Sequence, residues 1–192
     1  MTNWIDIRDG RLLYDATFLP ANEADFLFAW LRSSVPWRQE SVRGRQLPRL
    51  NAWYADAGLT YSYSGVSHEG SGWAPELDVM RRRVEEASGA SFNSLLLNLY
   101  RDGQDSIGWH TDAEPELGPD LVVATVSLGS VRDFLLKHRA TKESLVYRLG
   151  HGSLLVMGGS SQHHWLHAVP KVEDEVGERI SLTFRQIGGI TN

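Results

Sequence analysis

From Gly89 onward the chain is written almost entirely in short apolar or alternating runs closed by turn residues: "SLLLNLY", "LVVATVSLG", "RDFLLKH", "SLVYRL", "SLLVMG" and "RISLTFRQI". Runs of this length, bounded in this way, read as β-strands. With few helices between them, they predict a mainly β fold of two packed sheets, a sandwich or jelly roll. Two amphipathic segments precede them. "ANEADFLFAWLRSS" (21–34) places Leu27 and Leu31 four apart beside Phe26 and Trp30, and "PELDVMRRRVEEAS" (75–88) aligns Leu77, Met80 and Val84 before the stop at Gly89. These predict helices that buttress the sheets. No repeat or linker divides the 192 residues, which fit one domain. Residues 1–92 are expected as helical support and lid, and residues 93–187 as the core.

Charge and composition narrow the chemistry. A formal net charge of -5 excludes a protein that coats nucleic acid by charge alone, and leaves room only for a focal basic surface. With no cysteine, disulfides, thiolate metal sites and a Cys nucleophile are all excluded. Any metal must bind through histidine and carboxylate. The start "MTNWIDIRDG" lacks a signal-peptide pattern, and no apolar run approaches membrane-spanning length. A soluble cytoplasmic monomer without a membrane partner is the expectation.

"GWHTDAEPE" (108–116) sets His110 and Asp112 two residues apart, a spacing that on extended chain points both side chains to one face. Such a pair is common in polar turns and gains meaning only with a third ligand. "HHWLHAVP" (163–170) supplies candidates just after an apolar strand. His167 is the choice and His164 its nearest rival, while His68, His138, His151 and His163 read as surface or satisfied core residues. Two histidines and a carboxylate serve non-haem iron(II) oxygenases, and also zinc. The strand "RISLTFR" (179–185) bears on that choice. Its period of two sends Arg179, Ser181, Thr183 and Arg185 to one face and Ile180, Leu182 and Phe184 to the other. Two inward guanidiniums need anions, and a dicarboxylic co-substrate would supply them. On a solvated face they would need none.

Taken together and in order, "NLYRDGQDSIGWHTDAE", "TVSLGSVRDFLLKH", "HGSLLVMGG", "HHWLHAVP" and "RISLTFRQI" resemble the AlkB family of iron(II)- and 2-oxoglutarate-dependent dioxygenases. The upstream stretch "DAGLTYSYSG" resembles the branch that repairs nucleic acids. The resemblance implies a double-stranded β-helix with His110, Asp112 and His167 as catalytic iron ligands. It implies that Asn98 and Tyr100 bond 2-oxoglutarate, that Arg179 pairs with its distal carboxylate, and that Arg185 lies near its metal-binding end. Ser181 stands where the family usually has asparagine, so one contact to the co-substrate is in doubt. Glu114 matches the acid that reads the exocyclic amine of a damaged base, and Tyr63 would stack on that base.

The implied reaction consumes Fe(II)-bound 2-oxoglutarate and dioxygen, releases succinate and carbon dioxide, and oxidises an N-methyl group that leaves as formaldehyde. Alkylated DNA, or RNA, is the implied partner, with 1-methyladenine and 3-methylcytosine as lesions. A base inside a duplex must be flipped out to reach such a pocket. The Arg-rich stretch 37–54, with Arg38, Arg43, Arg45 and Arg49, reads as a basic hairpin or lid for phosphates. Set against this reading are an oxygenase of methylated RNA, protein or a small molecule, and a non-catalytic jelly-roll binding module.

Overall fold

The computed structural model describes residues 3–42, 44–63, 66–113 and 121–188, with the side chains at 42, 45, 61–63 and 66–68 left outside the description. The N-terminal half runs β1 (Ile5–Ile7), β2 (Gly10–Asp15), α1 (Ala21–Ser34), β3 (Ser41–Val42), β4 (Arg45–Gln46), β5 (Leu50–Ala55), β6 (Thr60–Tyr63), β7 (Val66–Glu69) and α2 (Pro75–Ser88). It continues with β8 (Ser94–Tyr100), β9 (Ile107–His110), β10 (Val123–Gly129), β11 (Arg132–His138), β12 (Ser144–Leu149), β13 (Ser153–Gly158), α3 (Ser161–His164), β14 (Trp165–Val169) and β15 (Arg179–Arg185).

The strands form a seven-stranded sheet, ordered β1-β2-β13-β10-β15-β8-β5, and a four-stranded sheet, ordered β12-β11-β14-β9. Every pairing within them is antiparallel. The expected jelly roll is the observed architecture. Two small hairpins, β3–β4 and β6–β7, stand apart from both sheets.

The larger sheet is covered on both faces, which explains why its strands read as nearly continuous apolar runs. Leu95, Leu97 and Leu99 of β8, Ala124, Val126 and Leu128 of β10, Leu154 and Val156 of β13, and Ile180, Leu182 and Phe184 of β15 share one core. The helices complete it with Ala24, Leu27 and Leu31 from α1 and Leu77, Met80 and Val84 from α2. The alternate residues turn the other way. Tyr100, Val123, Leu155 and Met157 pack against Phe134, Leu136, Trp165 and Val169 of the smaller sheet, so the period of two assigns each strand's residues to one of two cores.

The helices follow their sequence signals. α2 begins with Pro75 in its first turn and ends at Gly89, whose φ of 70° is the left-handed cap that glycine adopts without strain. Phe26, expected beside the buried face of α1, is instead 66% exposed, because it falls next to rather than on the stripe formed by Ala24, Leu27 and Leu31.

The N-terminal segment also enters the larger sheet. Residues 1–92 do more than support: β1, β2 and β5 are three of the seven strands of the larger sheet. "GRLLYD" precedes the helical segments and "LNAWYA" is embedded in the arginine-rich stretch, so neither was read with the strands of the second half. The expected basic hairpin does form as β3–β4. Arg49 departs from it, being only 6% exposed at the entry to β5.

Candidate functional site

Cross-strand register assembles the site from distant sequence. His110 at the end of β9 lies directly opposite His167 of β14, and their ring centres are 4.1 Å apart. Asp112, two residues beyond, is 5% exposed. Donor atoms of His110, Asp112 and His167 all lie within 4.8 Å of one another. The sequence pair thus finds its third member, and it is His167 and not His164.

Neighbouring groups set the chemistry of each donor. His110 Nδ1 lies 2.8 Å from the Gly108 carbonyl. A carbonyl only accepts, so Nδ1 carries the proton and Nε2 keeps its lone pair for a metal. His167 Nε2 sits 3.7 Å from Asp112 Oδ2, with its ring stacked on Phe134 at 5.2 Å. Burial pushes the pKa of His167 down to about 3, and burial also lowers that of His110. Both rings are therefore neutral near pH 7, the form that ligates metal. Burial alone would raise the pKa of Asp112, but Arg185, then His167 and His110, outweigh it and hold the carboxylate below its ordinary value. We attribute this mainly to Arg185, whose Nη2 lies 2.8 Å from Asp112 Oδ1, because the histidines are uncharged.

The backbone N–H of Asp112 donates to Gln162 Oε1 at 3.0 Å. Gln162 is 1% exposed and its Nε2 also meets Met157 Sδ at 3.4 Å. This side chain from α3 fixes the chain beside the carboxylate. Sequence reading missed it because nothing local distinguishes Gln162 from the polar residues around it.

The wall opposite the histidines is β15 with its neighbours. Arg179, Ser181, Thr183 and Arg185 line one cleft with Asn98, Tyr100, His110, Asp112 and His167, so the expected polar face does turn inward. Register places Tyr100 opposite Arg179 and Asn98 opposite Ser181. Arg179 is 1% exposed. Its Nε donates to Ser127 Oγ at 2.9 Å, and its guanidinium lies 5.0 Å from the Tyr100 ring centre. Burial lowers its pKa, a sign that the charge is poorly compensated. Buried Arg179 Nη1 and Arg185 Nε have no hydrogen-bond partner among the described residues. Unmatched donors at both ends of one strand face fit an anionic ligand with oxygens at each end.

Two further arginines are buried: Arg132, which sequence reading passed over, and Arg49, which it assigned to phosphate contact. Arg132, 2% exposed, donates to the carbonyls of Asp102 at 3.1 Å, Asp105 at 3.0 Å and Pro170, and lies 5.7 Å from the Tyr100 ring centre. Arg49 Nε donates to Asn98 Oδ1 at 2.8 Å. Its Nη1 reaches the Ser106 carbonyl at 3.2 Å. Arg49 therefore does not belong with the phosphate-facing residues. Of the substrate residues, Glu114 and Arg43 lie outside the described residues, as do the side chains of Tyr63 on β6 and Arg45 on β4.

A second group, Asp9, His138 and His164, also brings donor atoms within 4.8 Å. Here the Thr141 N–H donates to His138 Nδ1 at 3.1 Å, so Nε2 must carry the ring proton and donate to Asp9 Oδ2 at 3.0 Å. That proton occupies the position a metal would need. His138 is the satisfied buried histidine that the sequence suggested.

A double-sheet fold with a His/Asp/His cluster beside one buried and one half-buried arginine, Arg179 and Arg185, defines a non-haem oxygenase that takes an oxo-acid co-substrate. The sequence profile of the 2OG-Fe(II) oxygenase superfamily matches residues 11–185. The chain is 39% identical over 201 residues to DNA oxidative demethylase ALKBH2 of Mus musculus, covering 96% of this chain and 84% of that protein. It is 40% identical to alpha-ketoglutarate-dependent dioxygenase alkB homolog 3 of Homo sapiens, covering 88% of this chain but 64% of that protein, and so spans under two thirds of that relative's length. The solved structure of OsALKBH1 superposes with a TM-score of 0.72 at 18% identity, covering 96% of this chain and all of that one, a likeness of fold. The chain belongs to the AlkB family of iron(II)- and 2-oxoglutarate-dependent dioxygenases.

Proposed function

We propose that this protein removes N-methyl groups oxidatively from alkylated DNA bases such as 1-methyladenine and 3-methylcytosine. The reading is carried by one observation: the unmatched donors of Arg179 and Arg185 line one cleft with the neutral histidines and ionised Asp112. A zinc hydrolase needs no such pair of inward cations, and a binding module needs neither set. The relatives named as DNA oxidative demethylases supply the substrate class.

Iron(II) with 2-oxoglutarate and dioxygen supplies the oxidising chemistry when bound. His110 through Nε2, Asp112 and His167 are the residues that would hold the metal, and Arg179 and Arg185 those that would meet the co-substrate's carboxylates. Asn98 and Tyr100 complete that wall. Phe134, Met157 and Val169 line the same cleft and limit water there. No side chain is required as acid, base or nucleophile. Placing the methyl group is the protein's task, and Tyr63, Glu114 and the Arg43/Arg45 hairpin are proposed to hold the flipped base and its backbone.

The test is release of succinate and formaldehyde from matched DNA and RNA oligonucleotides carrying 1-methyladenine or 3-methylcytosine. Coupled release on DNA supports the proposal. Succinate without formaldehyde would refute the substrate, release confined to RNA would reassign it, and no succinate at all would refute the oxygenase reading.

A further inference from the structure

Arg49 presents a buried cation whose function neither its sequence context nor the proposed reaction accounts for. It is 6% exposed, and its only described polar contacts are the Asn98 side chain and the Ser106 carbonyl. A guanidinium has donors and no acceptor. The atom of the Asn98 amide that faces Arg49 at 2.8 Å is therefore the oxygen, and the NH2 group is the end left for the cleft that Asn98 lines.

The distinction matters because an amide is ambivalent. With its oxygen toward the cleft, Asn98 would repel a carboxylate or keto oxygen; with its NH2 toward the cleft, it donates to one. Without Arg49, the two orientations compete. Among the described residues no other hydrogen bond holds the Asn98 oxygen. Register sets Asn98 opposite Ser181 on one side and Asn51 on the other. The Ser181 hydroxyl both donates and accepts, whereas the Asn51 NH2 is committed to Glu40 Oε2 at 2.8 Å and its Oδ1 has no partner among the described residues. Asn51 therefore presents an acceptor and cannot take over the role of Arg49 in holding the Asn98 oxygen.

We infer that Arg49 is a positioning residue for the co-substrate, which by holding Asn98 Oδ1 commits the Asn98 amide to act as a donor in the cleft. This rests on the oxygenase reading above. It also reassigns Arg49 from nucleic-acid contact to co-substrate binding, so its removal should alter co-substrate affinity and not the salt dependence of oligonucleotide binding.

The competing account is structural. Through the Ser106 carbonyl, Arg49 also touches the chain entering β9, which carries His110. A role there would show in metal affinity, so both affinities are measured. The experiment uses the full chain saturated with Mn(II), which accepts the same oxygen and nitrogen donors, and titrates 2-oxoglutarate by calorimetry. Mn(II) affinity is measured separately without 2-oxoglutarate.

Arg49→Met is expected to weaken 2-oxoglutarate binding about 10- to 100-fold, as loss of a group that orients a ligating residue does, with Mn(II) affinity unchanged. Arg49→Lys, still a pure donor, should recover most of the loss. In an Asn98→Ala background, Arg49→Met should add nothing, because the group it orients is gone. Losses that multiply in the double variant would overturn the inference in favour of a direct contact, and a parallel fall in Mn(II) affinity would overturn it in favour of the β9 role. If the unmodified protein with Mn(II) fails to bind 2-oxoglutarate, the oxygenase reading itself fails. If it binds and Arg49→Met binds equally well, only the inference fails.

Discussion

Replacing Arg179 by methionine separates stability from function more sharply than any other single change. Methionine fills similar space with an adaptable apolar chain. In the protein without co-substrate, Arg179 is a nearly fully buried charge with no carboxylate within hydrogen-bonding reach among the described residues. Removing it relieves a desolvation penalty of several kcal/mol. Against this, the Ser127 hydroxyl loses its 2.9 Å donor, at about 1–3 kcal/mol, and the contact over the Tyr100 ring is lost at about 1 kcal/mol. The two sides nearly cancel, so the melting temperature should change by less than about 5 °C at about 2–4 °C per kcal/mol for a domain of this size.

Co-substrate binding has no such compensation. Truncating one side of a buried charge pair costs about 2–5 kcal/mol, which is roughly 30- to 4,000-fold in affinity. Thermal unfolding with Mn(II), with and without 2-oxoglutarate, reads both effects. At 100 times the dissociation constant, the unmodified protein should gain about 2.7 kcal/mol, or about 5–10 °C. Arg179→Met should show little of this gain. A shift of equal size in the variant would refute the role of Arg179, and a collapse of the metal-only melting temperature would refute the charge argument.

Asp112→Ala should reduce metal affinity by more than about 100-fold, exceeding the loss for groups that merely orient a ligand; equilibrium dialysis with Fe(II) or Mn(II) checks it, and retained affinity would remove Asp112 from the ligand set. Gln162→Leu should cost about 10- to 100-fold in metal affinity, because the Asp112 N–H loses its acceptor; unchanged binding would show that the backbone there needs no such anchor. Metal-free protein should lose stability as the pH falls below about 6.5, since unfolded histidines take up protons that buried His167, at about 3, does not. Lowered by burial as well, His110 adds in the same direction. The stability is thus present above the unfolded pKa and lost below it, by at most about 5 kcal/mol from His167. His167→Asn should flatten the melting curve against pH between 4.5 and 6.5, and an unchanged slope would exclude His167 as its source.

The sequence by itself determined six of the strands in the second half, β8, β10 to β13 and β15, but not β9 and β14, together with which face of β15 is polar and which residue types a metal could find. These follow from the period of two along a strand and from the absence of cysteine, both local properties. Ordered motifs also carried the family resemblance, and the ligand trio it implied is the cluster the fold assembles. Only the tertiary structure decided what depends on pairing between distant strands. Register alone sets His167 against His110 and Tyr100 against Arg179. Arg49 looks like its neighbours in an arginine-rich stretch, yet β5 joining the edge of the larger sheet buries it against Asn98. Arg132 and Gln162 are similarly ordinary in sequence. Their roles come from the atoms that surround them, and those atoms belong to residues dozens of positions away.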